Sequence, residues 1–271
     1  MKKIQLFLGS IIFIFNGAQG QPLKGNLPDC DQSFTGPCYY SGPVYKNGVV
    51  SKDSYEGRVQ NKTWNGEGKY SFEQGSVYEG GFRNGVRHGY GVYTHANGDK
   101  YVGQYLNDKP NGQGAHYFND GSKYEGEFKD GIRQGFGTQT HANGQRHVGQ
   151  FLNDRPNGQG IYYFNDGAKY EGDFKDGKFH GKGKFFFADG AYYVGEFKLN
   201  KFDGNGILYS NNSTIINKGL FKDNKFVGAS NPSNESAAKP RNSGEISNAN
   251  KCKRLGLIAG TEDYNLCLKA K

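Results

Sequence analysis

Through the middle of the chain, apolar and polar residues alternate in short runs, and the runs recur every 23 residues. In the run that opens at Tyr124, Tyr124, Gly126 and Phe128 fall on one side of an extended chain and Glu125 and Glu127 on the other. A period of two predicts a β-strand with one aromatic face and one charged face. Asp130-Gly131 follows as a turn, a second short strand is predicted from about Gly135 to Thr140, and Asn143-Gly144 returns the chain to the next run. Similar Asx-Gly pairs stand at Asn97-Gly98, Asp120-Gly121, Asp166-Gly167 and Asp189-Gly190. Such pairs are strong hairpin signals because both central residues tolerate positive φ. Each unit therefore reads as one β-hairpin, and neighbouring hairpins join side by side.

The step holds for seven copies, opened by Tyr55, Tyr78, Tyr101, Tyr124, His147, Tyr170 and Tyr193. A fixed period of this length sets the architecture before any local reading does. Counting from the opener, positions 1, 3 and 5 of the first strand share a face. Positions 14, 16 and 18 of the second do the same, as with Gly68, Tyr70 and Phe72. Rings of one strand can lie over the glycines of its neighbour, which have no side chain to block them. The other face carries Glu79, Glu125, Glu127, Glu171 and Glu196 and is expected to be solvated. About 14 strands spaced roughly 4.8 Å apart predict an elongated single-sheet ribbon of stacked β-hairpins on the order of 65 Å long.

The pattern resembles the MORN repeat family, whose consensus reads approximately YEGxFxxGxxHGxG. The matching residues include Tyr78-Glu79-Gly80, Phe82, Gly85 and His88-Gly89-Tyr90-Gly91, and again Tyr170-Glu171-Gly172, Phe174, Gly177 and His180-Gly181-Lys182-Gly183. The resemblance implies an all-β, twisted single sheet. It also implies roles in protein–protein assembly and, in some members, contact with anionic membrane surfaces; enzyme activity in the family comes from attached domains, and none is evident in this sequence. Three departures stand out. His147 replaces the opening Tyr, and Lys109-Pro110-Asn111 and Arg155-Pro156-Asn157 replace the His-Gly motif, read as Pro-Asn turns. Copies 3–4 and 5–6 match closely as 46-residue pairs. Past Ile215 the phase slips by one, and Gly219, Phe221 and Gly228 form a half-copy that closes the far edge.

The flanks differ in kind. Lys2 and Lys3 precede an apolar stretch from Ile4 to Phe15, and Ala18-Gln19-Gly20 offers small residues where a signal peptidase reads. The stretch is shorter than the ~20 residues that span a bilayer. Residues 1–20 are therefore expected to be a cleaved signal peptide, with the chain exported to the periplasm or beyond and a bacterial source. Residues 21–54 read as an N-terminal cap and 229–251, rich in Asn, Ser, Ala, Pro and Lys, as a flexible linker. Residues 252–271 resemble a short Cys-flanked tail of bacterial exported proteins, expected to be small, disulfide-bridged and partly helical. All four cysteines lie outside the repeats. An even number in an exported chain points to disulfides, and the local pairs Cys30–Cys38 and Cys252–Cys267 need the least loop closure.

Composition supports a thin, ring-built core. The chain has 43 Gly, 19 Tyr and 20 Phe against 34% hydrophobic residues and a mean hydropathy of −0.81. Net charge is +8, or +6 without residues 1–20, which contain two lysines and no acid. No catalytic, cofactor or metal constellation emerges. His95 and His141 lie four strands apart, roughly 19 Å, and fill an aromatic position taken elsewhere by Phe72, Phe118, Phe164 and Phe187. His88 and His180 are placed in the motif turn, and the Asx residues in return turns. The Gly-x-Gly pairs precede no helix and so are not phosphate loops. What remains is a binding or assembly scaffold, not an enzyme, with a protein partner first and an anionic lipid or glycan second; an enzyme that grips polysaccharide on the open β surface is the third alternative. Candidate contacts are the position-17 rings Tyr117, Tyr163, Phe186 and Tyr209, and the lysine row Lys129, Lys175 and Lys198. Nucleic acid is not expected; homodimerisation through the open end strands is.

Overall fold

A computed structural model describes residues 30, 37–46 and 49–229. The expected signal peptide, nearly all of the linker and the Cys252–Cys267 segment lie outside the described residues. Those described form 17 strands of one antiparallel sheet, with no helix among them. Cys38–Lys46 (β1) pairs with Val49–Gln60 (β2), and β2 with Thr63–Ser71 (β3) completes the first copy. The next three copies are Val77–Arg83 (β4) with Val86–Thr94 (β5), Lys100–Leu106 (β6) with Lys109–Tyr117 (β7), and Lys123–Lys129 (β8) with Ile132–Thr140 (β9). Then come Arg146–Leu152 (β10) with Arg155–Tyr163 (β11), Lys169–Lys175 (β12) with Lys178–Phe186 (β13), and Tyr192–Lys198 (β14) with Lys201–Tyr209 (β15). Ile215–Lys222 (β16) and Lys225–Gly228 (β17) are the half-copy. The strands sort into a first unit up to β8 and a second from β10, the division falling within β9. In each unit every strand pairs with its chain neighbours.

The openers form the core. Tyr55, Tyr78, Tyr101, Tyr124, His147, Tyr170 and Tyr193 are all buried. Tyr55, Tyr78, Tyr101, His147, Tyr170 and Tyr193 each face position 16 across the hairpin, with the glycines at positions 3 and 14 facing each other, as in Gly80↔Gly91 and Gly172↔Gly183. A Cβ built on Gly91 would stand 2.4 Å from the Tyr78 hydroxyl oxygen, so the position-14 glycine is the space into which the ring lies. The hydroxyl donates to a carbonyl three residues on, Tyr78 to Gly81 at 2.9 Å and Tyr170 to Asp173 at 2.8 Å, so the buried phenols keep a partner. Position-5 rings meet the openers edge-on, with Tyr78–Phe82 and Tyr193–Phe197 centroids 5.1 and 5.3 Å apart.

Position 12 has another task. Gly89 and Gly158 take φ of 78° and 92°, at a break in register where Gly80 faces Gly91 but Phe82 faces Arg87. Gly81 of β4 thus opposes His88, Gly89 and Tyr90 of β5, a bulge that bends the strand and needs a left-handed residue. The second strand therefore begins right after the turn, at Ile132 in the fourth copy and not near Gly135. His88 and His180 lie within β5 and β13, and Pro110 and Pro156 within β7 and β11, so none of them occupies a turn.

The two kinds of turn also exchange roles with the expectation. Positive φ at both central residues occurs within each copy, at Asn107-Asp108, Asn153-Asp154 and Asp176-Gly177 for example. In the loops that follow the copies only position 21 is left-handed, a glycine after the first six copies and Ser213 after the seventh. There the Asx carboxylate or amide caps the backbone two residues on, as Asp120 Oδ1 does for the Ser122 N–H at 2.8 Å. Cys30 and Cys38 are bridged at the start of β1. At the far end Leu208 faces Asn217 while Tyr209 faces Ile215, which absorbs the one-residue slip.

Candidate binding surfaces

Position 10, which the sequence reading passed over, completes the ring face. Trp64, Phe179 and Phe202 stack on openers Tyr55, Tyr170 and Tyr193 at centroid distances of 4.8, 3.9 and 4.0 Å. In the second copy the Arg87 guanidinium takes the place of that ring, 5.7 Å from Tyr78 and 5.4 Å from Tyr105, and is tied to Asp108 at 3.0 Å. The backbone at position 10 explains the prolines. Its carbonyl accepts from position 8 of the next copy, Arg87 from Asp108 and Pro110 from Gly131. At Arg87, Phe179 and Phe202 an Asx at that position 8, respectively Asp108, Asn200 and Asn224, also accepts the position-10 N–H, whereas Trp64 is met by Gly85. Where position 10 is Pro110 or Pro156, with no N–H, position 8 is Gly131 or Gly177. The proline departures are thus matched pairs across neighbouring hairpins.

The opposite face is less solvated than its glutamates suggest. Val148 and Ile161 face each other there and are each 3% exposed, and Glu171 is largely covered beside Lys169 at 2.8 Å. The position-17 rings stand on this face, each between residues at position 23 of adjoining strands. In the first unit Tyr117 lies between Lys100 and Lys123. In the second unit the row runs Arg146, Tyr163, Lys169, Phe186, Tyr192, Tyr209 in register. Arg146 sits 4.7 Å over the Tyr163 ring and Lys169 4.5 Å over Phe186; Tyr192 and Tyr209 stack at 4.6 Å. Position 23 was missed in the sequence, although its run of Lys100, Lys123, Arg146 and Lys169 is visible there.

Lys129, Lys175 and Lys198 are exposed at hairpin tips. Lys175 faces Lys178 and Lys198 faces Lys201, a second set of lysines that the sequence reading also missed. Lys201 reaches Asp223 at 2.8 Å, and that ammonium holds the Asp223 carboxyl below its ordinary range. Leu152 and Leu199 are exposed along the same edge. Among the described residues no group of three or more His, Cys, Asp and Glu could hold a metal ion. His95 packs on Tyr93 at 4.4 Å, in keeping with a ring-filling role.

A MORN repeat profile matches residues 55–77, 78–100, 101–123, 124–146, 147–169, 170–192 and 193–215. The chain belongs to the MORN repeat family. These MORN copies indicate a repeat scaffold for binding. No curated protein matches this MORN chain in sequence. Solved structures similar to it include the TCP domain of Drosophila melanogaster SAS-4 in complex with a proline-rich motif of Ana2, at 16% identity over 55% of this chain and 82% of that one, with a TM-score of 0.36. The G-box domain of the microcephaly protein CPAP matches at 16% identity over 65% of this chain and 96% of that one, with a TM-score of 0.38. At these values neither structure bears on what the MORN copies bind.

Proposed function

We propose that this protein is a non-enzymatic scaffold of the cell envelope or extracellular space that binds and assembles other proteins, exported by a signal peptide cut near Gly20. The observation that supports this reading is the hairpin-tip edge of the second unit. Leu152 is 46% exposed and Leu199 55%, beside Lys175, Lys178, Lys198 and Lys201. Aliphatic anchors among ammonium groups fit an acidic protein surface with an apolar centre. Affinity capture from an envelope fraction, with Leu152→Ser/Leu199→Ser/Lys198→Glu as comparison, tests it. A partner retained by the parent and lost by the variant is expected; equal retention by both overturns this edge as the interface.

The same juxtaposition favours a second reading, peripheral contact with an anionic membrane. Vesicles of phosphatidylserine in phosphatidylcholine distinguish the two. Retention that disappears in high salt and in the triple variant supports the membrane, since exposed charges are screened. Absence of retention leaves the protein partner. Self-association belongs to the proposal as well. Among the described residues β17 pairs with only Leu220–Lys222 of β16, and Ile215, Ile216 and Val227 are exposed at that end. Sedimentation at rising concentration is expected to show a dimer that Ile216→Lys/Val227→Lys abolishes.

A further inference from the structure

The outer face of the second unit contains a groove. A cavity of about 540 Å3 lies across β11 to β15, over the backbone of Gly160, Gly172, Gly183 and Gly195, which face one another from strand to strand. It lies on the side away from the openers, between side chains at copy positions 2, 4, 13 and 15. Its edges are not neutral in what they offer. Glu171 is paired with Lys169, Glu196 Oε2 accepts the Asn205 N–H at 2.9 Å, and Asp173 Oδ2 accepts the Lys182 N–H at 3.0 Å. Glu171 is thus ion-paired, while Glu196 and Asp173 are held by backbone N–H groups, which do not neutralise them; Glu196 is the one of these two that lines the cavity. Lys182 and Lys184, which both line the cavity, form no ion pair among the described residues. Lys184 Nζ instead lies 4.3 Å over Phe186 and 4.2 Å over Tyr192, where the ring row borders the groove.

We propose that this groove binds a polysaccharide bearing carboxylate groups. The two unpaired ammonium groups supply the charge complementarity. Gln159 and Asn205 supply amides for hydroxyl groups, and Ile161 and Val194 supply apolar surface for the C–H faces of sugar rings. A peptide is a poorer fit. β12, β13 and β14 are hydrogen-bonded on both sides, so an extended peptide gains no main-chain bonds here. The groove runs across the strands, so a given copy position returns at every second strand, about 9.6 Å apart.

Affinity electrophoresis of the mature protein tests this, with polygalacturonate, neutral dextran and polyglutamate as probes at physiological salt. Retardation by polygalacturonate is expected, with little by dextran. Lys182→Ala/Lys184→Ala is expected to weaken binding about tenfold or more, the equivalent of ~1.4 kcal/mol, while Lys184→Arg retains it. Lys182 is exposed and Lys184 half-exposed, and thermal melts confirm the fold of each variant. Should the double variant not fold, Lys182→Gln carries the same comparison. No retardation by polygalacturonate, an undiminished response in the lysine variants, or equal retardation by polyglutamate through the same lysines overturns the proposal. The groove uses none of the tip residues, so its failure and that of the protein-binding edge are separate results.

Discussion

Tyr78 and Gly91 act as one structural piece: a ring on one strand and the missing side chain on the next. Gly91→Ala forces a carbon to within 2.4 Å of the Tyr78 hydroxyl oxygen and is expected to cost about 1–3 kcal/mol, as overpacking does. Tyr78→Phe keeps the ring and leaves the Gly81 carbonyl without that donor, at about 1 kcal/mol. Urea melts of both variants check the order. The glycine variant melting above the phenylalanine variant overturns the assignment of the ring's space to Gly91. Leu199 runs the other way. It holds φ of 52° at a turn position filled elsewhere by Asn107, Asn153 or Asp176. Leu199→Asn is expected to gain about 1 kcal/mol by easing a left-handed conformation, read as a higher Tm. Ring burial and glycine gaps were legible in the sequence because alternation maps directly onto faces. The division of labour inside Gly-x-Gly was not, because one glycine is required by φ and the other by space, and composition shows only that both are glycine.

At the element scale, a hairpin is held to the next by its tip. The Asp108 carboxylate accepts both the backbone N–H and the side-chain Nε–H of Arg87. Asp108→Gly is expected to destabilise by about 1–2 kcal/mol, and Arg87→Pro in that background to cost less than Arg87→Pro alone. A thermodynamic cycle over the four proteins measures the coupling; additive effects would show that the Pro110–Gly131 pairing is coincidental. This pairing joins residues of adjacent copies, which explains why reading each copy by itself turned Pro110 and Pro156 into turn residues. The second strand's early start was hidden for a related reason. A bulge breaks the strict alternation from which strands are recognised, so Ile132 to Gln134 looked like loop. Register supplied the rest of the outer row: Arg146, Lys169 and Tyr192 matter because they stand beside position 17 in space, at the end of a different copy in sequence.

At the scale of the molecule, the buried phenols make stability depend on alkaline pH. Burial pushes the Tyr193 hydroxyl up to about 12 and carries Tyr55, Tyr78 and Tyr170 higher still. An unfolded phenol ionises near pH 10, so these groups contribute stability that is complete below pH 10. Between about 10 and the folded values the unfolded chain has released protons that the native chain retains, and stability falls as pH rises. Unfolding above pH 10, coincident with tyrosinate absorbance, is expected; full tyrosinate absorbance with native circular dichroism would contradict it. The period makes a separate prediction. Deleting residues 101–123 joins Lys100 to Tyr124 in phase and is expected to leave a folded protein, whereas deleting one residue fewer puts every later side chain on the wrong face.

The hairpin tips of β6–β7 and β10–β11 carry a further consequence. Leu106-Asn-Asp-Lys-Pro-Asn-Gly-Gln-Gly114 and Leu152-Asn-Asp-Arg-Pro-Asn-Gly-Gln-Gly160 differ in one residue, Lys109 against Arg155. Their turn residues share φ values within a degree, 50° and 67° against 50° and 66°, and the two leucines are 45% and 46% exposed. Any molecule that reads one of these loops therefore finds it twice along a single polypeptide. The chain is bivalent for such a ligand before any oligomer forms, and titration with a monovalent antibody fragment against either loop should saturate at two per chain.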